Sequence, residues 1–440
     1  MNSKNKISSF SFRNYAWRQL RKNKIAWVSF WIILVLIGIA LCSNFIANSQ
    51  PYFIKVNGHS YFPLFSFKNE IEFYDANGNK EMLAKDQVDW KHLNFESAFF
   101  PPVAYIPSSS DLLNADYKSP SEEQYFKNKK GETIDMPFRF RHFLGTNKRG
   151  EDVLSGLIHG TSISISVGFF SMLLAGILGI FFGMMAGYFG DDAIKIKRGI
   201  ACSLAVGLVF SWFYAFQIRS FVLMDALQNS FLSFLLQLFF SVLIFLFVLL
   251  IFYFLGKLIS QIKWLKQAVH VPLDTIISRL IEMIVSLPTL LLIITIAAIS
   301  KPSLLNLILI IAFVQWTSIA RLIRAEMLRL KQLEFIQAAQ AMGLKPWQIM
   351  LRHALPNAMA PALVSISFGI ASAILIESGL SFLGVGVPVD VVTWGSLINS
   401  GRENFAAWWL VLFPGLCIFI TALCCNILGE ALRDAMDVKQ

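Results

Sequence analysis

Charge is what this sequence has least of. Of 440 residues only 15% are Asp, Glu, Lys or Arg while 55% are hydrophobic, a balance that excludes a soluble protein of this size. No Gly-x-x-x-x-Gly-Lys-Ser/Thr phosphate loop occurs. Gly256-Lys257 lacks both the upstream glycine and the downstream hydroxyl, so nucleotide hydrolysis by that chemistry is excluded. Cysteines are few: Cys42, Cys202, Cys417, Cys424 and Cys425 all lie in apolar runs. Neighbouring Cys424 and Cys425 would point in different directions on a helix and have no accompanying His or carboxylate, which argues against metal ligation. Leu41 stands before Cys42 where a lipoprotein signal needs a small residue, so the first apolar run reads as an uncleaved anchor. Acids are absent from the block that holds Lys4, Lys6, Arg13, Arg18, Arg21, Lys22 and Lys24.

What is present is a series of apolar runs long enough to cross a bilayer, roughly 20 residues each. The chain divides into a basic N-terminus (1–24), a first span (25–47), an external region (48–156), a long span (157–190), a segment with two further apolar runs (191–273), and a remainder (274–440) with a cytoplasmic island and two closing spans. The net charge of +10 does not call for nucleic acid. With both termini and the island inside, positive charge gathers on the cytoplasmic segments, as the positive-inside rule requires. The expected architecture is an all-α polytopic membrane protein with a mixed α/β external loop region. That region has Asn57-Gly58 and Asn77-Gly78 turns and alternating patches such as Tyr61 to Phe67, and it lacks any nucleophile elbow, ligand cluster or diagnostic carboxylate pair.

The island, Glu334 to Pro361, reads EFIQAAQAMGLKPWQIMLRHALPNAMAP. Good helix formers run to Met342, with Ile336, Ala339 and Met342 near one face. Gly343 is suited to the positive φ of a helix end, and Pro346 to the first turn of a second helix ending near His353. The spacing Gln337-Ala338-Ala339, Gly343, Leu355-Pro356 resembles the coupling signature of permease subunits of ATP-binding-cassette importers. Gln337 replaces the usual Glu, and His353 the usual aliphatic residue. The continuation Asn357-Ala358-Met359-Ala360-Pro361 is similar to the oligopeptide and dipeptide branch. The N-terminal run from Trp17 to Asn48, with SYFPLF after it, resembles the microcin C and oligopeptide importer group.

That resemblance implies a type I importer permease fold with six family spans, to which residues 191–273 add an inserted two-span hairpin, either a lipid-facing extra or a docking surface. It implies two ATPase subunits or domains that hydrolyse ATP, a second permease subunit, and an extracytoplasmic peptide-binding protein, in a bacterial inner membrane. No cofactor is expected in this chain. ATPase coupling falls to Gln337, Ala338, Ala339, Gly343, Leu355 and Pro356, and the outer mouth of the path to Glu377, Ser381 and Gly384. In HFLGTNKRGEDVL, Asn147 stands where that family has Asp, and Asp152 is either a helix cap or a substrate contact. Gly179, Gly183 and Gly187, four apart, suit close helix packing. Glu377 either has a partner or reaches external water. Trp408 and Trp409 suit the interface belt, and Arg279 and Glu282 could pair. Oligopeptides lead as substrate, then peptide-like antibiotics, then nickel. A self-sufficient channel or secondary transporter would place several ionisable groups mid-span, where this chain has few. A membrane scaffold is the other rival, and would explain the added hairpin.

Overall fold

The computed structural model describes residues 21–436 apart from 57, 67–69, 75–79, 86–87, 92, 94, 128–131 and 230. The basic block up to Arg18, Asn57 and the Asn77-Gly78 turn lie outside the described residues. Most of the chain is helical. Among the described residues, seven helices are long and apolar enough to cross a membrane, or eight when one sharply bent pair counts as a span. The chain forms two compact units: residues up to 181, 283–323 and from 344 onward, and residues 182–282 with 324–343.

The first unit opens with α1 (Lys24–Leu41), whose start is fixed by Asn23 accepting from the Ile25 and Ala26 amides. One further turn, Ser43–Ile46, follows. The region expected to be external comes next and contains β1 (Phe53–Val56), β2 (His59–Tyr61), β3 (Glu70–Tyr74), β4 (Lys80–Ala84), β5 (Ser97–Phe99), β6 (Tyr125–Lys127) and β7 (Thr133–Asp135). β1 is the centre of an antiparallel sheet ordered β2-β1-β5, with Ile54 opposite Tyr61 and Ala98. Ile54 and Val56 alternate inward onto Trp90, Phe100 and Phe140, the period-two pattern of a half-buried strand. Beyond Tyr61 the expected alternation gives way to a short 3-10 turn, Pro63–Phe65.

α2 (Val153–Phe189) runs for 37 residues. Gly168 and Gly176 face Ile374 and Ile366, and Gly179 faces Ile319 and the Trp316 carbonyl. Small residues let apolar helices meet where no hydrophobic effect drives them together.

In the second unit, α3 (Arg198–Trp212) runs through a π turn, Phe213–Gln217, to α4 (Ser220–Asn229), and α5 (Phe231–Ile259) returns. Gly207 lies against Phe252 and Gly256 against Ile200, and the Ser203 hydroxyl donates to the Phe252 carbonyl at 2.6 Å. Arg219 donates to Gln237 and Ser241, and most large apolar side chains of the hairpin point outward, as they would into lipid. β8 (Lys195–Lys197) and β9 (Ala268–His270) close its base.

α6 (Leu273–Val285) and α7 (Thr289–Ile299) follow. Arg279 pairs with Glu282 at 2.7 Å as expected, but both side chains are exposed, where such a pair contributes little. The sequence suggests a span through Pro288, and there α6 and α7 meet at 82°. Pro288 supplies no amide to continue α6 and instead caps α7. α8 (Leu304–Lys331) and α9 (Glu334–Ala341) come next.

After Gly343 the chain departs again from expectation. α10 (Pro346–Ile349) does not end near His353 but passes through a π turn, Met350–Ala354, directly into α11 (Leu355–Phe382). The Leu355 amide reaches back to the Met350 carbonyl across this wide turn, just before Pro356, which has no amide to offer. α12 (Trp394–Gly401) starts in a Thr393/Ser396 capping box, and α13 (Trp409–Met436) is last. Trp408 is 51% exposed, but Trp409 is only 4% exposed and donates its indole N–H to the Thr146 carbonyl at 3.1 Å. Trp409 is therefore core and not interface belt. It packs with Val153, Leu157, Ile374, Trp394 and Leu410.

A Cβ at Gly179 would stand 2.7 Å from Ile319 Cβ and 2.8 Å from the Trp316 carbonyl oxygen, atoms that cannot swing aside. Gly179→Val should cost about 1–3 kcal/mol, read as a lower thermal unfolding midpoint in detergent. A wild-type midpoint would contradict the packing.

Candidate functional site

The residues expected to couple to an ATPase fall in two segments. In α9, Ile336 and Ala339 are buried while Gln337 and Ala338 are exposed, so the two alanines do not share an outward face. The physical reason is the helical repeat: Ala339 is three residues on from Ile336 and turns inward with it. Gly343 has φ +75, its amide bonded to the Gln340 carbonyl at 2.9 Å, the left-handed end that favours glycine. In the segment from Leu344, Pro356 is exposed and Leu355 half-buried, with Trp347 and Leu351 exposed ahead of them.

The residues expected at the outer mouth cluster at the end of α11. Glu377 does not reach water: it is 0% exposed. Its carboxyl accepts from Ser164 on α2 at 2.8 Å, from Ser381 at 2.8 Å and from Ser378 at 3.4 Å, so hydroxyls, not a counter-charge, satisfy it. Gly384 ends the helix with φ +75. The Gly384 amide bonds to the Ser381 carbonyl and the Val385 amide to the Leu380 carbonyl, a Schellman closure.

Ser381 and Gly384 line a cavity of about 620 Å³ with Asn147, Arg149, Glu151, Asp390 and the hydroxyls of Ser108, Ser110, Ser396 and Ser400. Its apolar wall comes from Val387, Pro388, Val389, Val391, Val392 and Leu397. Asn147, in the position noted for its missing acid, accepts from the Arg149 and Glu151 amides and donates to the Glu151 carboxylate at 2.6 Å. Arg149 reaches Glu151 at 3.6 Å. The cavity therefore offers both charge signs and many neutral donors and acceptors around an apolar strip, a surface able to hold an extended amide backbone with charged ends.

Sequence reasoning missed a buried polar cluster beside this cavity. His142 sits between two carboxylates, Nδ1 at 2.8 Å from Asp152 and Nε2 at 3.3 Å from Asp111, with the Tyr105 ring 4.2 Å away. Asp152 also accepts from the Ser155 amide at 2.6 Å, so it caps α2. Lys91 Nζ lies 3.1 Å from the Tyr105 ring centre, a cation–π contact. Burial opposes a charged His142 ring, but the hydrogen bonds to Asp111 and Asp152 outweigh it and raise the histidine pKa. Burial pushes the Lys91 ammonium down to about 7, against the pull of Asp111, Asp152 and Asp89. Only an isolated histidine ten residues from an aspartate marked this cluster in the sequence.

Comparison with known proteins follows the same lines. The family described as binding-protein-dependent transport system inner membrane component matches residues 265–438, and the N-terminal TM domain of oligopeptide transport permease C matches residues 11–63. The two matches together span more than half of the chain, and residues 64–264 fall outside both. The inner membrane ABC transporter permease protein YejE of Escherichia coli (strain K12) is 28% identical over 425 residues, covering 96% of this chain and 95% of that protein. The dipeptide transport system permease protein DppC of Alkalihalophilus pseudofirmus is 29% identical over 299 residues, covering 68% and 72%. The peptidoglycan transport system permease protein YejE of Agrobacterium fabrum is 24% identical over 439 residues, covering 96% and 92%.

The raised His142 pKa means that the folded chain holds this proton more tightly than the unfolded one. Its stabilising contribution is full below the unfolded value of about 6.5 and is lost as pH rises through the folded value. Lys91 acts with the opposite sign, adding stability as pH rises from about 7 toward its ordinary value. The midpoint of the wild type should therefore exceed that of His142→Gln by a few °C at pH 6, the gap narrowing at higher pH. Repeating the series in a Lys91→Met background removes the opposing contribution. A gap that does not change with pH in that background would contradict the assignment.

Proposed function

The chain belongs to the inner-membrane components of binding-protein-dependent transport systems, of the oligopeptide permease kind, and we propose that it is one pore subunit of an ATP-driven importer of oligopeptides or peptide-like compounds. The observation that carries the coupling role is Gly343. The coupling signature has its glycine at this position, and here it takes the φ of +75 that turns the chain sharply after an exposed Gln337-Ala338 pair. Two ATPase subunits or domains engage the residues Gln337 to Pro356 and hydrolyse the ATP. A second permease subunit completes the pore, and an extracytoplasmic peptide-binding protein delivers substrate to the face that holds Glu377, Ser381 and Gly384. Both termini lie in the cytoplasm, and the 198–259 hairpin is an addition to six family spans.

Peptide is supported as cargo by the relatives' names, a dipeptide and a peptidoglycan transport permease among them. The outer cavity agrees, since its mixed hydroxyl, amide and charged lining matches the repeated donors and acceptors of a peptide backbone. Peptide-like antibiotics of the microcin C type fit the same chemistry. A self-energised carrier is disfavoured: within the long apolar helices, the one fully buried ionisable side chain among the described residues is Glu377, and its bonds are to serine hydroxyls.

Gly343→Leu forces a left-handed backbone on a residue that pays roughly 1–2 kcal/mol for it, with open space around the new side chain. The variant should insert and accumulate normally, co-purify less ATPase in mild detergent, and lose most ATP-dependent peptide uptake. Wild-type uptake by Gly343→Leu would overturn the coupling role. A chain recovered without any ATPase or second permease would overturn the importer reading itself.

A further inference from the structure

We propose that the base of the 198–259 hairpin is a binding site for an anionic phospholipid. Six basic residues meet there: Lys195, Lys197, Arg198, Lys257, Lys263 and Lys266. None forms an ion pair among the described residues, and neither 193–198 nor 256–270 contains an acid. Of the acids that flank these segments, Asp191 is taken by Thr275 and Asp274 by Arg324. Asp192 is exposed and leaves the balance strongly positive.

Positive charge on the cytoplasmic side of a span satisfies topology wherever it lies on the loop. Here it is held in place. Lys195 and Lys197 stand on one exposed face of β8, with Lys195 directly opposite His270 of β9. The Arg198 amide bonds to the Gln267 carbonyl at 2.9 Å and the Gly199 amide to the Leu265 carbonyl at 3.0 Å, so the turn carrying Lys263 and Lys266 is fastened to the start of α3. Gly199 and Gly256 bring α3 and α5 into contact just above it. The charge is thus carried on a fixed platform.

The second observation is the apolar surface beside the charge. The Arg198 guanidinium lies 5.4 Å from the Trp264 ring centre, Trp264 is 70% exposed, Ile262 is 58% exposed, and Leu258 one turn earlier is exposed too. Basic groups joined to an exposed indole and aliphatic side chains at the foot of two lipid-facing helices match a ligand that has a phosphate and an acyl chain at the same point. A soluble anion would use the charges and leave the apolar strip wet. The inference takes these residues to lie on the cytoplasmic side, and it is independent of substrate and of ATPase coupling.

The test uses the full chain extracted from membranes containing phosphatidylethanolamine, phosphatidylglycerol and cardiolipin, with retained lipid read by native mass spectrometry through stepwise delipidation. The wild type should keep phosphatidylglycerol or cardiolipin in excess of their share of the membrane. The combined variant Lys195→Gln, Lys197→Gln, Lys263→Gln and Lys266→Gln should lose that excess at least about tenfold, and the same four positions changed to Arg should keep it. Because the Gln variant could fail to fold, retention by the wild type is also followed from about 0.1 to 1 M salt, across which screening should weaken it. Equal retention in the wild type and a folded Gln variant, or retention indifferent to salt, overturns the proposal. So does binding of soluble polyglutamate that competes fully with the lipid and shows no preference for acyl chains, which would assign the patch to an acidic protein partner.

Discussion

Close approach of apolar helices through small residues is the constraint on which the structure depends. Inside lipid, leucine gains nothing by leaving hydrocarbon for another helix, so contact must come from shape and dispersion. α2 meets that requirement with glycines along its length: Gly168 against Ile374, Gly176 against Ile366, Gly179 against Ile319, and, in the second unit, Gly187 against Met327 and the Arg324 carbonyl. The hairpin repeats the device with Gly207 and Gly256. Where no glycine is available the outward side chains remain large and apolar, as they do over most of α5.

The N-terminal end of α2 is tied by a different chemistry. Asp152 caps the helix and holds His142, His142 holds Asp111, and the indoles of Trp394 and Trp409 donate to the Leu157 and Thr146 carbonyls at 3.1 Å each. Hydrogen bonds of this kind are directional where glycine contacts are not. They fix the register of the turn from Gly145 to Glu151, which supplies part of the cavity wall.

Much of the fold was legible because its signals are local. Long apolar runs, Gly343 as a left-handed stop and the glycine spacing on α2 each depend on residues within a turn or two of one another. What was not legible depends on distant partners. Ser164 and Glu377 are 213 residues apart, and nothing near Glu377 indicated that it would be wholly enclosed. Trp409 resembled its neighbour Trp408 until Thr146 was found beneath it. The 82° bend at Pro288 and the π turn before Pro356 show the remaining difficulty. Both prolines were visible, but proline states only that an amide is missing. Whether the helix breaks or widens to absorb the loss is decided by what surrounds it.

Glu377 illustrates why a costly group can persist in an apolar helix. A carboxyl enclosed without a counter-charge adds little to stability, and a leucine or methionine of similar volume would pack there without desolvation cost. What the carboxyl supplies is two acceptor oxygens with separate duties: Oε2 takes the Ser164 hydroxyl from α2 at 2.8 Å, and Oε1 takes Ser381 at 2.8 Å. The first bond sets the spacing of α2 and α11, and the second fixes the rotamer of a serine on the cavity wall. A single hydroxyl or amide at this position would have to divide fewer lone pairs between the same partners. The cavity's shape and the packing of two spans thus share one side chain, so a substitution that preserves the span's volume would still release the cavity wall.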